Sequence, residues 1–185
     1  SSRHMAGIKH VGDEIVLTCD IDPEKKADFP DYKRMMKSDI WKEITHVSVC
    51  TPNYLHYEMI MDCAYSELGK TVLCEKPLVL SSVEAERLPA HVFSVLQLRY
   101  HPEVIKLKNK ITERFKDVYL SVAVKRELSY WQGWKGNEKE SGGILFNIGI
   151  HYLDLLIFLF GDKYKIRPNT CYFSEKVAMG VISFE

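Results

Sequence analysis

Hydrophobic residues in the first hundred positions form short, nearly continuous runs separated by amphipathic segments. The runs are EIVLTCD (14–20), THVSVC (45–50), TVLC (71–74) and HVFSVLQL (91–98). Between the second and third runs, apolar side chains recur at helical spacing, from Leu55 through Met59 to Cys63. Strands that are apolar throughout and alternate with helices are typical of a parallel sheet with helices on both faces. The pattern therefore predicts a doubly wound α/β domain over residues 1–98.

A different pattern begins near residue 99. It predicts a helix from His101 to about Arg114, an alternating strand over 118–128, an apolar helix over 147–160 and short strands over 171–176 and 177–184. This order indicates an α+β domain, so we place a boundary near 98–101 and assign residues 99–185 to a second domain. We expect both domains to be incomplete, since no strand and glycine-rich turn precede the first helix and the sequence stops within a predicted strand. The opening SSRHM is either a purification-tag remnant or the start of a helix that runs to His10.

Charge and composition argue against several classes of function. Lys plus Arg and Asp plus Glu both total 25, and without a basic block the sequence does not predict nucleic-acid binding. The longest apolar stretch, Ile148 to Phe160, is shorter than the ~20 residues of a membrane span, so we predict no membrane segment. Five widely spaced cysteines without a CxxC pair favour reduced thiols and a cytoplasmic location.

Polar residues follow each predicted strand of the first domain. They are Asp20, Thr51-Pro52-Asn53, Glu75-Lys76-Pro77 and Gln97-Leu98-Arg99. In open α/β sheets, ligands bind beyond the carboxyl ends of the strands. These four groups therefore predict one binding edge.

The first two groups suit a dinucleotide. The Asp20 carboxylate matches a hydrogen bond to the ribose hydroxyls of NAD, although a turn or a helix cap explains an acid there equally well. Asn53 is placed to cap the helix that follows it. Amide groups exposed at such a helix start favour a pyrophosphate or a nicotinamide nearby.

The triplet Glu75-Lys76-Pro77 interrupts the apolar stretch VLCEKPLVL (72–80). A lysine at the end of a buried strand, held by a proline, is a positioned cation that can polarise a hydroxyl or carbonyl group and tune proton transfer. We expect the proline to fix the turn through a cis Lys76–Pro77 bond. The alternative is a structural role, in which Glu75 pairs with Lys76 or with the backbone.

The segment SGGILFNIGIHYLDLLIFLFG (141–161) carries the second polar group. On a helix, Asn147, His151 and Asp154 form one polar stripe on an otherwise apolar rod. A histidine titrates near neutrality, with a reference pKa of about 6.5, so we interpret His151 as a general base that Asp154 orients or compensates. A satisfied core histidine is the alternative. A third metal ligand at convincing spacing is lacking, so we predict no metal.

The segment between these two groups is aromatic and rich in glycine. In YWQGWKGNEKE (130–140), the side chains of Trp131, Trp134 and Lys135 are candidates for the border of a nucleotide or sugar pocket. Packing explains the aromatic residues equally well.

Three motifs together resemble the Gfo/Idh/MocA family of NAD(P)-dependent sugar oxidoreductases. They are TPN-x-x-H (51–56), EKP (75–77) and GG-x-L-x-N-x-G-x-H-x-x-D (142–154). The segments TPNYLHYEMI, LQLRYHPEVI and YWQGWKG are most similar to the family's bacterial UDP-N-acetylglucosaminuronate 3-dehydrogenases. The resemblance implies a Rossmann domain followed by a domain with an open, mainly antiparallel sheet. The wider family commonly has an acid at the position of Asn147. The branch of UDP-N-acetylglucosaminuronate 3-dehydrogenases has an asparagine there, as this sequence does.

The resemblance also implies roles for individual residues. Lys76 and His151 are the expected catalytic residues. The expected NAD contacts are Asp20, Thr51, Pro52, Asn53, His56, Glu75, Lys76, Pro77 and Trp134. The expected substrate contacts are Arg99, Tyr100, Lys135, Asn147 and Asp154.

The activity that the resemblance implies is NAD-dependent oxidation of C3 of a UDP-N-acetyl-hexosaminuronic acid to a ketone, in lipopolysaccharide sugar biosynthesis. In some members of the branch, 2-oxoglutarate reoxidises the NADH. A homodimer or homotetramer is expected. The alternatives are a sugar or inositol dehydrogenase of the same family and a non-catalytic NAD-binding regulator.

Overall fold

The computed structural model describes residues 1–66, 69–111, 126–173 and 177–184. Its main sheet has three parallel strands in the order β1-β2-β3, which are His46–Val49, Thr71–Cys74 and Val92–Ser94. The register pairs Val49 with Cys74 and Cys74 with Ser94, so the strands end level with one another. The parallel order predicted from the apolar runs is confirmed for these three strands.

Helices in the first part of the chain are short. They are α1 Ser2–His10, α2 Tyr32–Met35, α3 His56–Ala64 and α4 Ser82–Ala85. The core lies where α3 packs against β1 and β2. Ile60 and Val72 are fully buried there, and Trp41 closes one side. Each buried aliphatic side chain of this kind contributes about 1.5–3 kcal/mol of hydrophobic free energy.

The predicted strand at 14–20 does not form, which corrects the expectation from its β-branched residues. The segment makes one bridge, between Cys19 and Phe29. Its backbone groups bond to the returning chain instead of to β1, because Phe29 N donates to Thr18 O and Asp20 N donates to Phe29 O. Asp20 therefore follows an extended segment and not a strand of the parallel sheet.

The amino-terminal helix lies against the sheet. On α1, His4 contacts Glu75 through Nε2 at 3.0 Å and Ser48 through Nδ1. Of the two interpretations of SSRHM, the structure has the helix that runs to His10.

The second part of the chain contains α5 Pro102–Lys110, α6 Glu138–Ser141 and α7 Ile150–Phe160. Two antiparallel pairs follow, β4 Tyr164–Ile166 with β7 Ile182–Phe184 and β5 Tyr172–Phe173 with β6 Ala178–Met179. Residues 118–125 of the predicted strand 118–128 lie outside the described residues. The predicted ends of two helices, at 67–68 and 112–114, and of one strand, at 174–176, lie outside them too. At its far end, Leu128–Trp131 is a 3₁₀ turn.

The helical segment Glu138–Phe160 has 23 residues and contains an 18-residue window with a mean hydropathy of 1.8, so by length and composition alone it is long enough and apolar enough to cross a membrane. Two polar groups on the segment contact residues that precede α5. The Asn147 carbonyl accepts from Lys76, and Asp154 pairs with Arg99.

All five cysteines are free thiols. Burial raises the pKa of Cys63 to about 12 and also raises the pKa of Cys74. These two thiols behave as small apolar core residues.

Candidate functional site

The Glu75-Lys76-Pro77 loop begins where β2 ends. Glu75 N donates to Val49 O at 2.9 Å, which continues the pairing with β1, and the Lys76–Pro77 bond is cis, as predicted. Lys76 then turns toward the second part of the chain and donates to the backbone carbonyl of Asn147. Glu75 pairs with His4 instead of with Lys76. The loop therefore contacts α1 through Glu75 and the segment before α7 through Lys76. The alternative, a pair between Glu75 and Lys76, does not form.

The carbonyl that Lys76 meets belongs to a π turn, Leu145–Gly149, which precedes α7. A π turn is rare in helices and recurs at functional sites. Gly142 begins this passage with a φ of +78°, and a Cβ there would lie 2.8 Å from Leu80 Cδ2. A glycine is favoured because the backbone there is left-handed, a conformation that residues with a Cβ rarely adopt.

Two polar side-chain atoms on this segment are buried without a hydrogen-bond partner among the described residues. They are Asn147 Nδ2 and His151 Nδ1, on residues one helical turn apart. Buried polar groups are normally satisfied, and an orphaned group is a sign of a missing ligand, water or functional role. Both residues lie beside Lys76, so a polar ligand that satisfies them belongs next to the lysine.

The electrostatics of Lys76 and His151 are coupled. Burial lowers the pKa of Lys76, Glu75 opposes the shift, and the charges of Lys135 and Arg126 lower it further. Burial also lowers the pKa of His151, and the Lys76 charge adds to that effect. A histidine with a lowered pKa is neutral near pH 7 and can accept a proton.

Asp154 acts on two residues. Its negative charge raises the pKa of His151, which is the compensating role expected for it. Its carboxylate also accepts from Arg99 Nε, at 2.9 Å to Oδ1 and 2.8 Å to Oδ2, and from Arg99 Nη2. Charge-assisted pairs of this bidentate form are strong and directional. The pair joins the turn Gln97–Tyr100 to α7 and raises the pKa of Arg99.

Asn53 is not the helix cap predicted from the sequence. A 3₁₀ turn, Asn53–Leu55, precedes α3, and no side chain caps it. The Asn53 amide is buried and donates from Nδ2 to Ser141 O at 2.8 Å. The side chain thus links the Thr51-Pro52-Asn53 loop to α6, because its amide group donates a hydrogen bond to the last residue of that helix.

His56 is fully buried between two loops. Its Nδ1 lies 2.6 Å from Pro77 O and its Nε2 lies 2.8 Å from Thr51 O. Both ring nitrogens are therefore occupied by backbone groups. This geometry makes His56 a link between the two loops, and its contact with NAD stays a prediction.

Two further predicted residues are Asp20 and Tyr100. Asp20 accepts from Asp22 N at 3.0 Å, which is the turn role considered for it, and its contact with a ribose stays a prediction. Tyr100 is 77% exposed. Its predicted contact with substrate stays a prediction too.

A cluster of two cations and two aromatic rings, here called the cationic cluster, consists of Arg126, Tyr130, Trp134 and Lys135. Arg126 Cζ lies 5.3 Å from the centre of the Tyr130 ring, and Lys135 Nζ lies 4.6 Å from the same ring. Lys135 is also 5.7 Å from the Trp134 ring. The rings hold two positive charges near Lys76, an arrangement that attracts an anion.

Three residues of this site were not predicted from the sequence. They are His4, Arg126 and Ser141. His4 and Ser141 act through contacts far along the chain, which no local pattern reveals. One feature of the sequence could have identified Arg126, namely its position shortly before the aromatic segment 130–140.

The residues present fit a dinucleotide. The loops after β1 and β2 lie side by side at the carboxyl end of the sheet, where open α/β sheets bind nucleotides. The orphaned Asn147 and His151 atoms are next to these loops. Among the described residues, no group of three or more His, Cys, Asp or Glu side chains could hold a metal ion.

Two family profiles match the chain. The profile of the Gfo/Idh/MocA oxidoreductase family, NAD-binding Rossmann fold, matches residues 2–94. The profile of the same oxidoreductase family's C-terminal alpha/beta domain matches residues 110–177.

Curated relatives include sugar and inositol enzymes. The putative UDP-kanosamine synthase oxidoreductase subunit of Amycolatopsis mediterranei is 30% identical over 168 residues, which are 83% of this chain and 46% of that protein. The scyllo-inositol 2-dehydrogenase (NADP(+)) IolW of Bacillus subtilis is 32% identical over 162 residues, which are 79% of this chain and 44% of that protein. The chain spans about half the length of these two relatives.

Solved structures of the same architecture include the WlbA (WbpB) dehydrogenase from Thermus thermophilus. Its complex with NAD and UDP-GlcNAcA has a TM-score of 0.78 and 32% identity, and the match covers 98% of this chain and 68% of that one. Its complex with NAD and alpha-ketoglutarate has a TM-score of 0.79 and 30% identity, with 99% and 65% covered.

Proposed function

Because this chain belongs to the Gfo/Idh/MocA oxidoreductase family, we propose that it oxidises the C3 hydroxyl of a UDP-N-acetyl-hexosaminuronic acid to a 3-keto sugar. NAD is the cofactor of the family's Rossmann domain. The observation that carries the proposal is the juxtaposition of Lys76 with the orphaned polar atoms of Asn147 and His151. The likeness to the Thermus thermophilus dehydrogenase, crystallised with NAD and UDP-GlcNAcA, supports the choice of substrate.

In the proposed reaction, His151 accepts the proton of the C3 hydroxyl. The lowered pKa of His151 supports this role, since the ring is neutral and ready to accept. Bound NAD supplies the hydride acceptor. Lys76 uses one N–H on the Asn147 carbonyl and keeps its other protons for the substrate oxygen, whose developing charge it stabilises.

Positive charge around the site favours an anionic substrate. The positive charges of Lys135 and Arg126 lower the pKa of Lys76, so these three cations lie near one another. Arg99 lies at the far end of the polar stripe, where it is paired with Asp154. A uronic acid on a diphosphate carries several negative charges, whereas a free polyol carries none. We propose that Arg99, Tyr100, Lys135, Asn147 and Asp154 contribute to substrate binding, and that Arg126 joins them.

The same proposal covers the organisation of the protein. We assign NAD binding to residues 1–98 and substrate binding to residues 99–185. We also propose that the enzyme is a cytoplasmic homodimer or homotetramer of lipopolysaccharide sugar biosynthesis and that 2-oxoglutarate reoxidises its NADH. The complex of the Thermus thermophilus relative with alpha-ketoglutarate supports the last point.

A sugar or inositol dehydrogenase is the second candidate, favoured by the 32% identity to the inositol enzyme of Bacillus subtilis. A substrate panel separates the two. With NAD present, we expect NADH absorbance to appear with UDP-N-acetylglucosaminuronate and to stay at background with scyllo-inositol and free glucose. A kcat/KM that is higher for a neutral sugar would replace the first proposal by the second.

The cationic cluster gives a prediction of its own. Lys135→Met and Arg126→Met are each expected to raise KM for the UDP-sugar acid by about 10- to 100-fold, because a hydrogen bond to a charged group contributes about 1.5–3 kcal/mol. KM for NAD should stay near the wild-type value. Lys139→Met, which removes an exposed lysine on α6, is the matched control. Equal KM values in all three variants and the wild type would rule out substrate binding by the cluster.

A further inference from the structure

The carboxylate of Glu75 and the ammonium group of Lys76 are neighbours along the chain but do not pair. Lys76 donates to the Asn147 carbonyl, and Glu75 contacts His4. The two charges are close enough for Glu75 to raise the pKa of Lys76. A hydrogen bond from an ammonium group to a carboxylate is roughly twice as strong as one between neutral groups and also stronger than one to a carbonyl. A contact on the other side of the loop therefore keeps the Glu75 carboxylate from its neighbour.

His4, on α1, makes that contact. Its side chain is 9% exposed and lies between Glu75 and Ser48. Nε2 is 3.0 Å from Glu75 Oε1, and Nδ1 contacts the Ser48 hydroxyl group. A carboxylate only accepts hydrogen bonds, whereas a hydroxyl group can donate or accept. With a proton on Nε2 both contacts are hydrogen bonds, and a neutral ring is sufficient for them.

We propose that His4 is a positioning residue, which holds the Glu75 carboxylate on the side of α1 and thereby leaves the Lys76 ammonium group to the Asn147 carbonyl and the substrate. Without His4, the carboxylate pairs with the adjacent lysine, because a buried ammonium group is stabilised by a counter-ion. The link to catalysis rests on the proposed function, in which Lys76 stabilises charge on the substrate oxygen. The position of the carboxylate does not.

The position of the carboxylate is tested without NAD or substrate, through the pKa of Lys76. Burial lowers that pKa, Glu75 opposes the shift, and the charges of Lys135 and Arg126 lower it further. His4→Phe keeps a ring in place but cannot donate to the carboxylate. In this variant we expect Glu75 to reach Lys76 and to raise its pKa above the wild-type value, because an opposite charge nearby favours the charged form.

The measurement is a ¹³C NMR titration of the protein labelled at the lysine Cε atoms, in which Lys76→Met assigns the signal. His10→Phe is the matched control, since His10 is exposed at the end of the same helix. It should leave the pKa of Lys76 at the wild-type value. A His4→Phe protein with the wild-type pKa of Lys76 would overturn the proposal.

The effect on catalysis is measured as kcat for the UDP-sugar acid, with each variant at its own saturating NAD concentration. This condition is needed because Glu75 is also an expected NAD contact, so that the affinity for NAD can change with it. A misplaced catalytic group costs about 10- to 100-fold in rate, and His4→Phe should lower kcat by that factor. His4→Gln, whose amide keeps a donor for Glu75, should recover most of the loss.

A double-mutant cycle separates positioning from packing. Glu75→Gln leaves no carboxylate for His4 to hold, so adding His4→Phe to it should lower kcat no further. A double variant that loses the full factor again would overturn the positioning role. So would a His4→Phe enzyme whose only change is weaker binding of NAD.

The failures of the two proposals are distinguishable. A wild-type protein that turns over no UDP-sugar acid would refute the proposed function, and the titration of Lys76 would still decide where the Glu75 carboxylate lies. If His4→Phe does not fold, Ser48→Ala replaces it, because this variant frees the other ring nitrogen of His4. An unchanged pKa of Lys76 in Ser48→Ala would then overturn the proposal.

Discussion

Replacing Lys76 by methionine is expected to slow NADH formation by about 10²–10⁴-fold, the usual contribution of a group that assists proton transfer. Methionine keeps the length and the apolar stem of the side chain, so the loop after β2 retains its packing. The N–H that meets the Asn147 carbonyl and the protons proposed for the substrate oxygen are lost together. NAD binding, measured by fluorescence titration, should change far less than turnover.

The same substitution should move the pH profile in a defined direction. A general base works when it is unprotonated, so kcat/KM falls as the pH drops below the pKa of His151. Burial first, and then the Lys76 charge, lower that pKa. Removing the charge raises the pKa, and the acid limb of the kcat/KM profile should shift to higher pH.

Glu75→Gln is expected to shift the acid limb of the kcat/KM profile in the opposite direction. The Glu75 charge raises the pKa of His151, so its removal should move the acid limb to lower pH. His151→Ala should remove that limb together with most of the activity. A Lys76→Met enzyme whose acid limb stays at the wild-type position would contradict the electrostatic coupling of the two residues, and one with wild-type turnover would contradict the mechanism.

The sequence predicted the parts of the site that depend on local periodicity. Three apolar runs became the parallel strands, and the polar residues that follow β1 and β2 lie in neighbouring loops because parallel strands end at one edge. The run at 14–20 has the same composition but did not become a strand. Its backbone finds hydrogen-bond partners in the chain that returns at 28–29, and composition alone does not reveal such a competing partner.

The partners of individual polar groups were harder to predict. Asn53 has the residue type of a cap but donates to Ser141, 88 positions away in sequence. Asp154 stands one turn from His151 on the helix, yet it pairs with Arg99, which is 55 positions away. Helical spacing puts two residues on one face, but it does not say which distant side chain reaches that face first. The π turn that offers the Asn147 carbonyl to Lys76 likewise has no signature in a 3.6-residue pattern.

Breaking the pair between Arg99 and Asp154 is expected to have the largest effect on stability. Asp154 is the one described residue of α7 that is buried. Its side chain is 8% exposed, whereas the Arg99 side chain is 39% exposed. Removing one partner of a buried ion pair costs about 3–5 kcal/mol, and the partial exposure of Arg99 reduces this toward the values of surface pairs. We expect Arg99→Met to lower the free energy of unfolding by about 3 kcal/mol.

The difference in exposure predicts an order among the variants. Arg99→Met leaves a buried carboxylate without a partner, whereas Asp154→Leu leaves a guanidinium that can turn into water. Arg99→Met should therefore be the more destabilised of the two. The double variant should recover most of the lost stability, because apolar residues in place of both partners of a buried pair are often neutral or stabilising. Urea unfolding of the four proteins measures all of these differences.

The activity of the double variant distinguishes a role of Arg99 in stability from a role in substrate binding. If Arg99 binds the substrate as proposed, the double variant should fold as stably as the wild type and still show a raised KM for the UDP-sugar acid, because the guanidinium is gone. A double variant that is as unstable as Arg99→Met would show that the pair has specific partners beyond each other. One that regains both stability and the wild-type KM would remove Arg99 from the substrate site, and would leave the ion pair as a fastening between α7 and the turn Gln97–Tyr100.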